Sequence, residues 1–282
     1  MPQALLMDQR SLEGFCPVAA AVEQLAQQDS ADARGAIYTR REVVEFMLDL
    51  VGYTPDQPLH QKKLLEPSFG GGEFLLGAVR RLMQSTQLAG YPGDLAHCIR
   101  AVELHRSTFD ATRAALCTPL SEFGLAPSEC SRLASAWLVC DDFLLSPMHE
   151  HFDVVVGNPP YVRQELIPAA LLAQYRKRYS TLYDRADLYV PFIERSLSLL
   201  TEHGQLAFIC ANRWTKNQYG RPLRAKVAEG FHLRAYVDMV DTPAFDTDVI
   251  AYPAITLIEK ATPGATLVAA QPALHAATLT RI

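Results

Sequence analysis

"FDVVVGNPPYVRQ", residues 152–164, runs an apolar strand-like segment straight into two prolines. The near-continuous β-branched character of "DVVVG" is that of a central strand buried on both faces. Pro159 and Pro160 have no backbone N–H and fix their own φ, so ladder pairing stops and the chain leaves the strand by a rigid exit. Asn158 and Tyr161 flank that exit as preset groups. An amide-like amino nitrogen, with its lone pair delocalised into a ring or carbonyl, is a poor nucleophile. Two acceptors on its N–H protons draw it toward tetrahedral geometry and aim the lone pair at an electrophile. The Asn158 side-chain oxygen and the Pro159 carbonyl suit that task, with Tyr161 stacked on the planar group. Such catalysis works by orientation and preorganised electrostatics, without a strong base.

Outward from this stretch, β-like runs alternate with helical ones: "KLLE" (63–66), "CIRAVEL" (98–104), "AWLVC" (136–140), "QLAFIC" (205–210), "RAYVDM" (234–239) and "PAITLIEK" (253–260). Residues 73–87 and 105–117 have helical periodicity and no internal proline. Seven strands with helical crossovers predict an α/β fold, a doubly wound, Rossmann-like sheet with helices on both faces. Upstream, "GAIYTRREVVEFMLDLVGY" opens at Gly35, and Thr39 with Glu42 reads as a capping box before an amphipathic helix. Residues 1–33 read as a helical appendage with Val18, Val22 and Leu25 near helical spacing, 34–260 as the catalytic domain, and the Ala/Thr/Pro-rich 261–282 as the start of a connector.

In a doubly wound sheet the ligand crevice lies beyond the strand C-terminal ends. After the first strand come Glu66 and then Gly70, Gly71 and Gly72. Glycines there let backbone approach a ligand, although a tight strand-to-helix turn accounts for them equally. Neither G-x-G-x-x-G nor a P-loop is present, and an acid before the glycines repels phosphate and favours an amine or sulfonium. Glu103, at the end of the second strand, is placed to accept from two ribose hydroxyls; a surface ion pair is the alternative. After the third strand comes Asp141-Asp142-Phe143-Leu144, in which a carboxylate suits an exocyclic amine, and Phe143 suits either an adenine face or the core.

The 282 residues allow one large core. A hydrophobic content of 49% and a charged content of 20% fit a globular protein, and no apolar run reaches the ~18 residues of a membrane span. The N-terminus lacks the build of a signal peptide, which makes the cytoplasm the expected location. Six scattered cysteines read as reduced core residues, and His149 and His151 have no companions at zinc spacing, so no metal is expected. The net charge of −5 gives no overall attraction to nucleic acid.

Taken in order, "GAIYTRREVVEFM", "LLEPSFGGGEFL", "AVELH", "CDDFLL", "VVGNPPY" and "DLYVPFIERSLSLLTEHGQLAFICANRW" resemble the γ-group adenine-N6 DNA methyltransferases of restriction-modification and phage-defence systems, over roughly residues 34 to 260. The resemblance implies S-adenosylmethionine (SAM) as methyl donor and a seven-stranded SAM-dependent methyltransferase sheet. It implies that Tyr38 and Thr39 join the methionine pocket, that Glu66 and Gly70 to Gly72 line the donor groove with Asn158 beside it, that Glu103 binds the ribose, and that Asp142 and Phe143 hold the adenine. Asn158, Pro159 and Tyr161 would act on the target base. A late-loop aromatic, offered by Phe245 in "DTPAFDTDV", would pack its other face. Two features depart from the pattern. The spacing from Gly72 to Glu103, about 30 residues, exceeds the roughly 20 of a minimal dinucleotide unit. The family's separate target-recognition region would also have to lie beyond this chain or on a partner.

An adenine within duplex DNA hides its N6, so a methylase flips it out, and aromatic faces offset the lost stacking. Arg163, Tyr175, Arg176, Lys177, Arg178, Tyr179, Tyr183 and Arg185, followed by Arg213, Trp214, Lys216, Arg221 and Arg224, mix basic and aromatic types as a phosphate-contacting surface does. A solvated helix face is the alternative for "QYRKRY". N-P-P-Y serves any planar amino group, so a protein-glutamine or RNA amino-group methyltransferase stays open, as does a non-enzymatic partner subunit that keeps the fold.

Overall fold

Val154 and Val156 turn to one side of the sheet and Val155 to the other, and all three are buried. Two apolar cores therefore sandwich the strand that ends in Asn158. The computed structural model describes residues 16–27, 37–246 and 252–272. It contains β1 (Leu64–Glu66), β2 (Ile99–Glu103), β3 (Leu138–Cys140), β4 (Phe152–Gly157), β5 (Leu200–Ala211), β6 (His232–Asp238), β7 (Pro253–Glu259) and β8 (Leu267–Ala270). Their spatial order is β3-β2-β1-β4-β5-β7-β6-β8. All neighbours pair in parallel except β7, which runs antiparallel to both β5 and β6.

The chain winds outward from β1 through β2 to β3, then returns to place β4 on the other side of β1. That reversal opens a crevice at the C-terminal ends of β1 and β4. The α-helices are α1 (Pro17–Ala26), α2 (Arg41–Leu50), α3 (Glu73–Ala89), α4 (Arg106–Glu122), α5 (Pro127–Trp137), α6 (Ala169–Arg178), α7 (Tyr189–Ser198), α8 (Arg213–Lys216) and α9 (Arg221–Gly230), and short 3-10 turns lie at Leu59–Gln61, Gln164–Leu166 and Gln218–Gly220. Among them no helix is long and apolar enough to cross a membrane.

Every strand expected from the sequence is present, and the sheet has one more. β8 pairs with β6 at the sheet edge inside the stretch read as a connector, with Leu267 and Val268 exposed. An edge strand of Leu, Val and Ala that buries neither face carries no alternating pattern, so composition conceals it. The capping box is corrected. Arg40 occupies the N-cap of α2 in an extended conformation, with no side-chain cap. Thr39 instead pairs with Phe245 in an isolated bridge, and its hydroxyl accepts from Asn158. Glu42 sits in the first turn, where the helix N-terminus favours an acid. The helix expected over 105–117 continues to Glu122 through Pro119.

The N-terminal helix is docked rather than free. Ala21 and Leu25 of α1 are buried, α1 packs on α6, and His105 Nδ1 donates to Ala26 O at 3.0 Å. Gly35, the outer parts of the 1–33 and 261–282 segments and the end of "DTPAFDTDV" lie outside the described residues.

Candidate active site

Glu66 and Glu103 end β1 and β2, Asp142 and Asn158 follow β3 and β4, and parallel pairing of these four adjacent strands brings all four residues to one cleft. The cleft encloses about 990 Å³ counting its open mouth. Tyr38, Thr39, Gly70, Gly71 and Phe143 line it as well. Gly72 lies one step behind as the N-cap of α3 at φ +90°, where a Cβ would come within 2.6 Å of Thr112 Cγ2. The glycine turn is fastened to the second strand: Gly70 N donates to Glu103 Oε2 at 3.0 Å, and His105 N donates to Glu103 Oε1 at 2.8 Å.

Two acceptors in this cleft have no hydrogen-bond partner, Glu66 Oε2 and Asn158 Oδ1. Burial, and then the charges of Glu73 and Glu103, push the Glu66 carboxyl well above its ordinary range. Asn158 is aimed by its other amide atom, because Nδ2 donates to Ile37 O at 2.9 Å and to Thr39 Oγ1 at 3.2 Å. The Ile37–Arg40 segment is in turn zipped to the late loop: Arg40 N donates to Ala244 O and Asp246 N to Tyr38 O, while Arg40 Nε donates to Phe245 O. One carboxyl oxygen and one amide oxygen left bare in one cleft fit a ligand that brings its own N–H, O–H or cationic groups. SAM is such a ligand.

Asp142 is held from two directions. Leu144 N donates to Oδ1 at 2.8 Å, and the Tyr175 hydroxyl donates to Oδ2. Burial raises its carboxyl above the usual range, and the Tyr175 bond opposes that rise. Phe143 is 2% exposed; its ring packs on Phe192 at 5.1 Å between centroids, with the Arg195 guanidinium carbon 4.7 Å from the ring centre. Arg195 also donates to the Phe143 and Ser146 carbonyls, and Tyr179 Oη donates to Leu144 O at 2.6 Å. The loop after β3 is thus clamped by α6 and α7.

Pro159 and Tyr161 stand outside the cleft lining, which takes Asn158, Pro160 and Val162 from the same segment. The Tyr161 hydroxyl is buried without a partner, and its ring lies 6.3 Å from Tyr189 and 6.5 Å from Phe245. The late-loop aromatic therefore does reach the N-P-P-Y segment. The facing sandwich expected of the two rings is not in place, because they meet at 84°. A base held between parallel faces needs roughly 7 Å, two carbon contact distances, and one ring would have to turn.

The basic-aromatic stretch divides. Arg163, Arg213 and Lys216 are exposed, and Arg213 lies over the Tyr252 ring at 5.6 Å. Tyr175 is corrected from surface to cleft, since it is 1% exposed and bonded to Asp142. Arg176 and Arg178 donate to neighbouring protein oxygens, and Arg224 fastens Trp214 O and Asn217 O. Sequence reading also missed Leu25, Glu73 and Phe192 in the lining. For Tyr175 the signal existed: it lies four residues after Leu171 on one helical face, and both are buried.

Residues 127–245 match the family of Eco57I restriction-modification methylases. The Type II methyltransferase M.PaeR7I of Pseudomonas aeruginosa is 59% identical over 271 residues, covering 95% of this chain and 47% of that protein. The Type II methyltransferase M.XhoI of Xanthomonas vasicola is 54% identical over 256 residues, covering 87% of this chain and 46% of that protein. The chain thus spans about half the length of these curated relatives. A Listeria monocytogenes protein described as a class I S-adenosylmethionine-dependent methyltransferase superposes with a TM-score of 0.63 at 15% identity, over 93% of this chain and 73% of that one. The fold is that of the SAM-dependent methyltransferases, SAM is the cofactor that family and fold imply, and the chain carries an Eco57I-type restriction-modification methylase domain.

Proposed function

We propose that this chain transfers a methyl group from SAM to the N6 amino group of an adenine flipped out of DNA, within a restriction-modification or phage-defence system. Target choice would come from a region or subunit outside these 282 residues. The observation that carries the reading is the Asn158 side-chain oxygen, a bare acceptor in the cleft at the strand ends whose direction is set by the Ile37 and Thr39 bonds. Relatives named Type II methyltransferases support DNA as the substrate.

Bound in the cleft, SAM would supply an electrophilic methyl group on a sulfonium. Glu103 presents its carboxylate to the ribose hydroxyls, Asp142 and Phe143 hold the adenine of the donor, and Glu66 with Gly70 to Gly72 shapes the groove beside it. Tyr38 and Thr39 close the methionine side. On the other side of the exit, Asn158 Oδ1 and the Pro159 carbonyl accept the two N6 protons of the target base, turning the nitrogen lone pair toward the donor. Tyr161 packs on the base, with Phe245 turning to meet its other face. Arg163, Arg213 and Lys216 take phosphates at the rim.

The test is transfer of a labelled methyl group from SAM to DNA, RNA and total protein, with and without any sequence encoded after Ile282. N6-methyladenine in DNA from the wild type, together with an Asn158→Ala variant that binds SAM normally and loses transfer by at least a hundredfold, is the expected outcome; removing one preorganised hydrogen-bonding group aimed at the reacting atoms costs on the order of that factor. Label on protein glutamine or RNA overturns the substrate, and a near-normal Asn158→Ala rate overturns the mechanism.

A further inference from the structure

The cleft is lopsided in charge. Glu66, Glu73, Glu103, Asp141 and Asp142 line it, and among the described residues no Lys or Arg does. Glu73, the first residue of α3, was not anticipated from the sequence. A carboxylate in a first turn is favoured by the helix N-terminus, which accounts for an acid at that position but not for its surroundings. A Cβ built on Gly71 would lie 2.5 Å from Glu73 Oε1 and 3.0 Å and 3.2 Å from two carbons of the Tyr38 ring. Carboxylate and aromatic ring thus converge over the same bare glycine. Close by is Glu66, 1% exposed, whose Oε2 has no partner. A carboxylate beside an aromatic ring, with a second buried carboxylate behind, is the chemistry that receives an organic cation.

We infer that Glu73 is a specificity-determining residue of this cleft, holding the α-ammonium at the amino-acid end of the donor between its carboxylate and the Tyr38 ring. The inference rests on SAM being the donor. Burial raises the Glu73 carboxyl, with the charge of Asp246 adding to it, and Glu73 in turn raises Glu66, so an arriving cation relieves repulsion already present in the protein. Gly71 is required by the same geometry, since any side chain there occupies the point on which the two groups converge.

The experiment measures by titration calorimetry the affinities of the full chain and its Glu73→Gln variant for SAM, S-adenosylhomocysteine and 5′-methylthioadenosine. The first two share the amino-acid end, and the third lacks it. Glu73→Gln is expected to weaken SAM and S-adenosylhomocysteine alike by roughly tenfold, the scale of one hydrogen bond to a charged group, and to leave 5′-methylthioadenosine within about twofold. Glu73→Asp, which keeps the charge, is expected to recover part of the loss. Should Glu73→Gln fail to fold, Tyr38→Leu at a side chain 42% exposed is expected to show the same selective loss in smaller measure. Equal weakening of all three ligands, or none of any, overturns the inference, as does a loss confined to SAM, which would put the carboxylate at the sulfonium. A wild-type chain that binds none of the three refutes the donor assignment itself.

Discussion

Replacing Tyr175 by Phe deletes one hydroxyl from the cleft and leaves the volume of the ring in place. Tyr175 is 1% exposed, Asp142 is 3% exposed, and the Tyr175 O–H is the side-chain donor to Asp142 Oδ2. A hydrogen bond to an ionised group contributes about 1.5–3 kcal/mol and one between neutral groups about 0.5–1.5 kcal/mol. Burial raises the Asp142 carboxyl above its ordinary value of 3.8, so the folded protein favours its protonated form. The stability tied to Asp142 is then fully present below that ordinary value and lost as pH rises through the folded one. Because the Tyr175 bond opposes the rise, Tyr175→Phe moves the folded value further up and deepens the loss at neutral and basic pH. Paired urea unfolding should therefore show the variant less stable by about 1.5–3 kcal/mol at pH above the folded value, where Asp142 is ionised, narrowing to about 0.5–1.5 kcal/mol as pH falls below it. In an Asp142→Asn background the smaller figure should hold at every pH. A loss under about 0.5 kcal/mol at the higher pH, or one independent of pH with Asp142 intact, would refute the pairing as the support of this loop.

Two further substitutions separate scaffold from surface. Gly72→Ala meets both a left-handed backbone, about 1–2 kcal/mol, and the Thr112 methyl at 2.6 Å, about 1–3 kcal/mol, whereas Gly52→Ala at φ +63° with open space around it meets only the first. Denaturation midpoints should rank them in that order, and equal losses would show that the Thr112 contact relaxes without cost. Arg163→Ala, Arg213→Ala and Lys216→Ala should each lower the slope of log affinity for DNA against log salt by about 1 without altering SAM affinity; unchanged slopes would remove the phosphate contacts from the proposed surface.

What the sequence made legible follows from burial. β4 and β7 are covered on both faces and announce themselves as near-continuous apolar runs, interrupted by Asp153 and Thr256, and the polar residue that ends or follows each parallel strand from β1 to β4 falls at the crevice because the sheet is doubly wound. β8 has no buried face and left no pattern. In "QYRKRY" only Tyr175 departs from a surface reading, because three consecutive cations, Arg176 to Arg178, mask that Leu171 and Tyr175 share the opposite face of the helix. Thr39 looks like a cap from its neighbours alone. Its actual partners, Phe245 and Asn158, lie more than a hundred residues away, beyond any local rule.

The same long-range pairing explains how an ordinary amide becomes a directed one. An Asn side chain can present either its oxygen or its nitrogen to a given neighbour, and the Thr39 hydroxyl, able both to donate and to accept, would tolerate both orientations. The Ile37 carbonyl can only accept. It therefore takes Nδ2 at 2.9 Å and leaves Oδ1 bare. A buried acceptor without a partner costs on the order of 1–3 kcal/mol, a cost that Asn158 Oδ1 and Glu66 Oε2 both bear in one cleft. Each would recover it when a ligand brings a donor or a cation. Since Ile37 is held to the late loop through the Tyr38–Asp246 and Arg40–Ala244 bonds, the direction of Asn158 depends on that loop staying closed over the N-terminal segment. Loosening the loop would free the amide to turn, and the acceptor that the proposed chemistry needs would be lost without any change to the N-P-P-Y residues themselves.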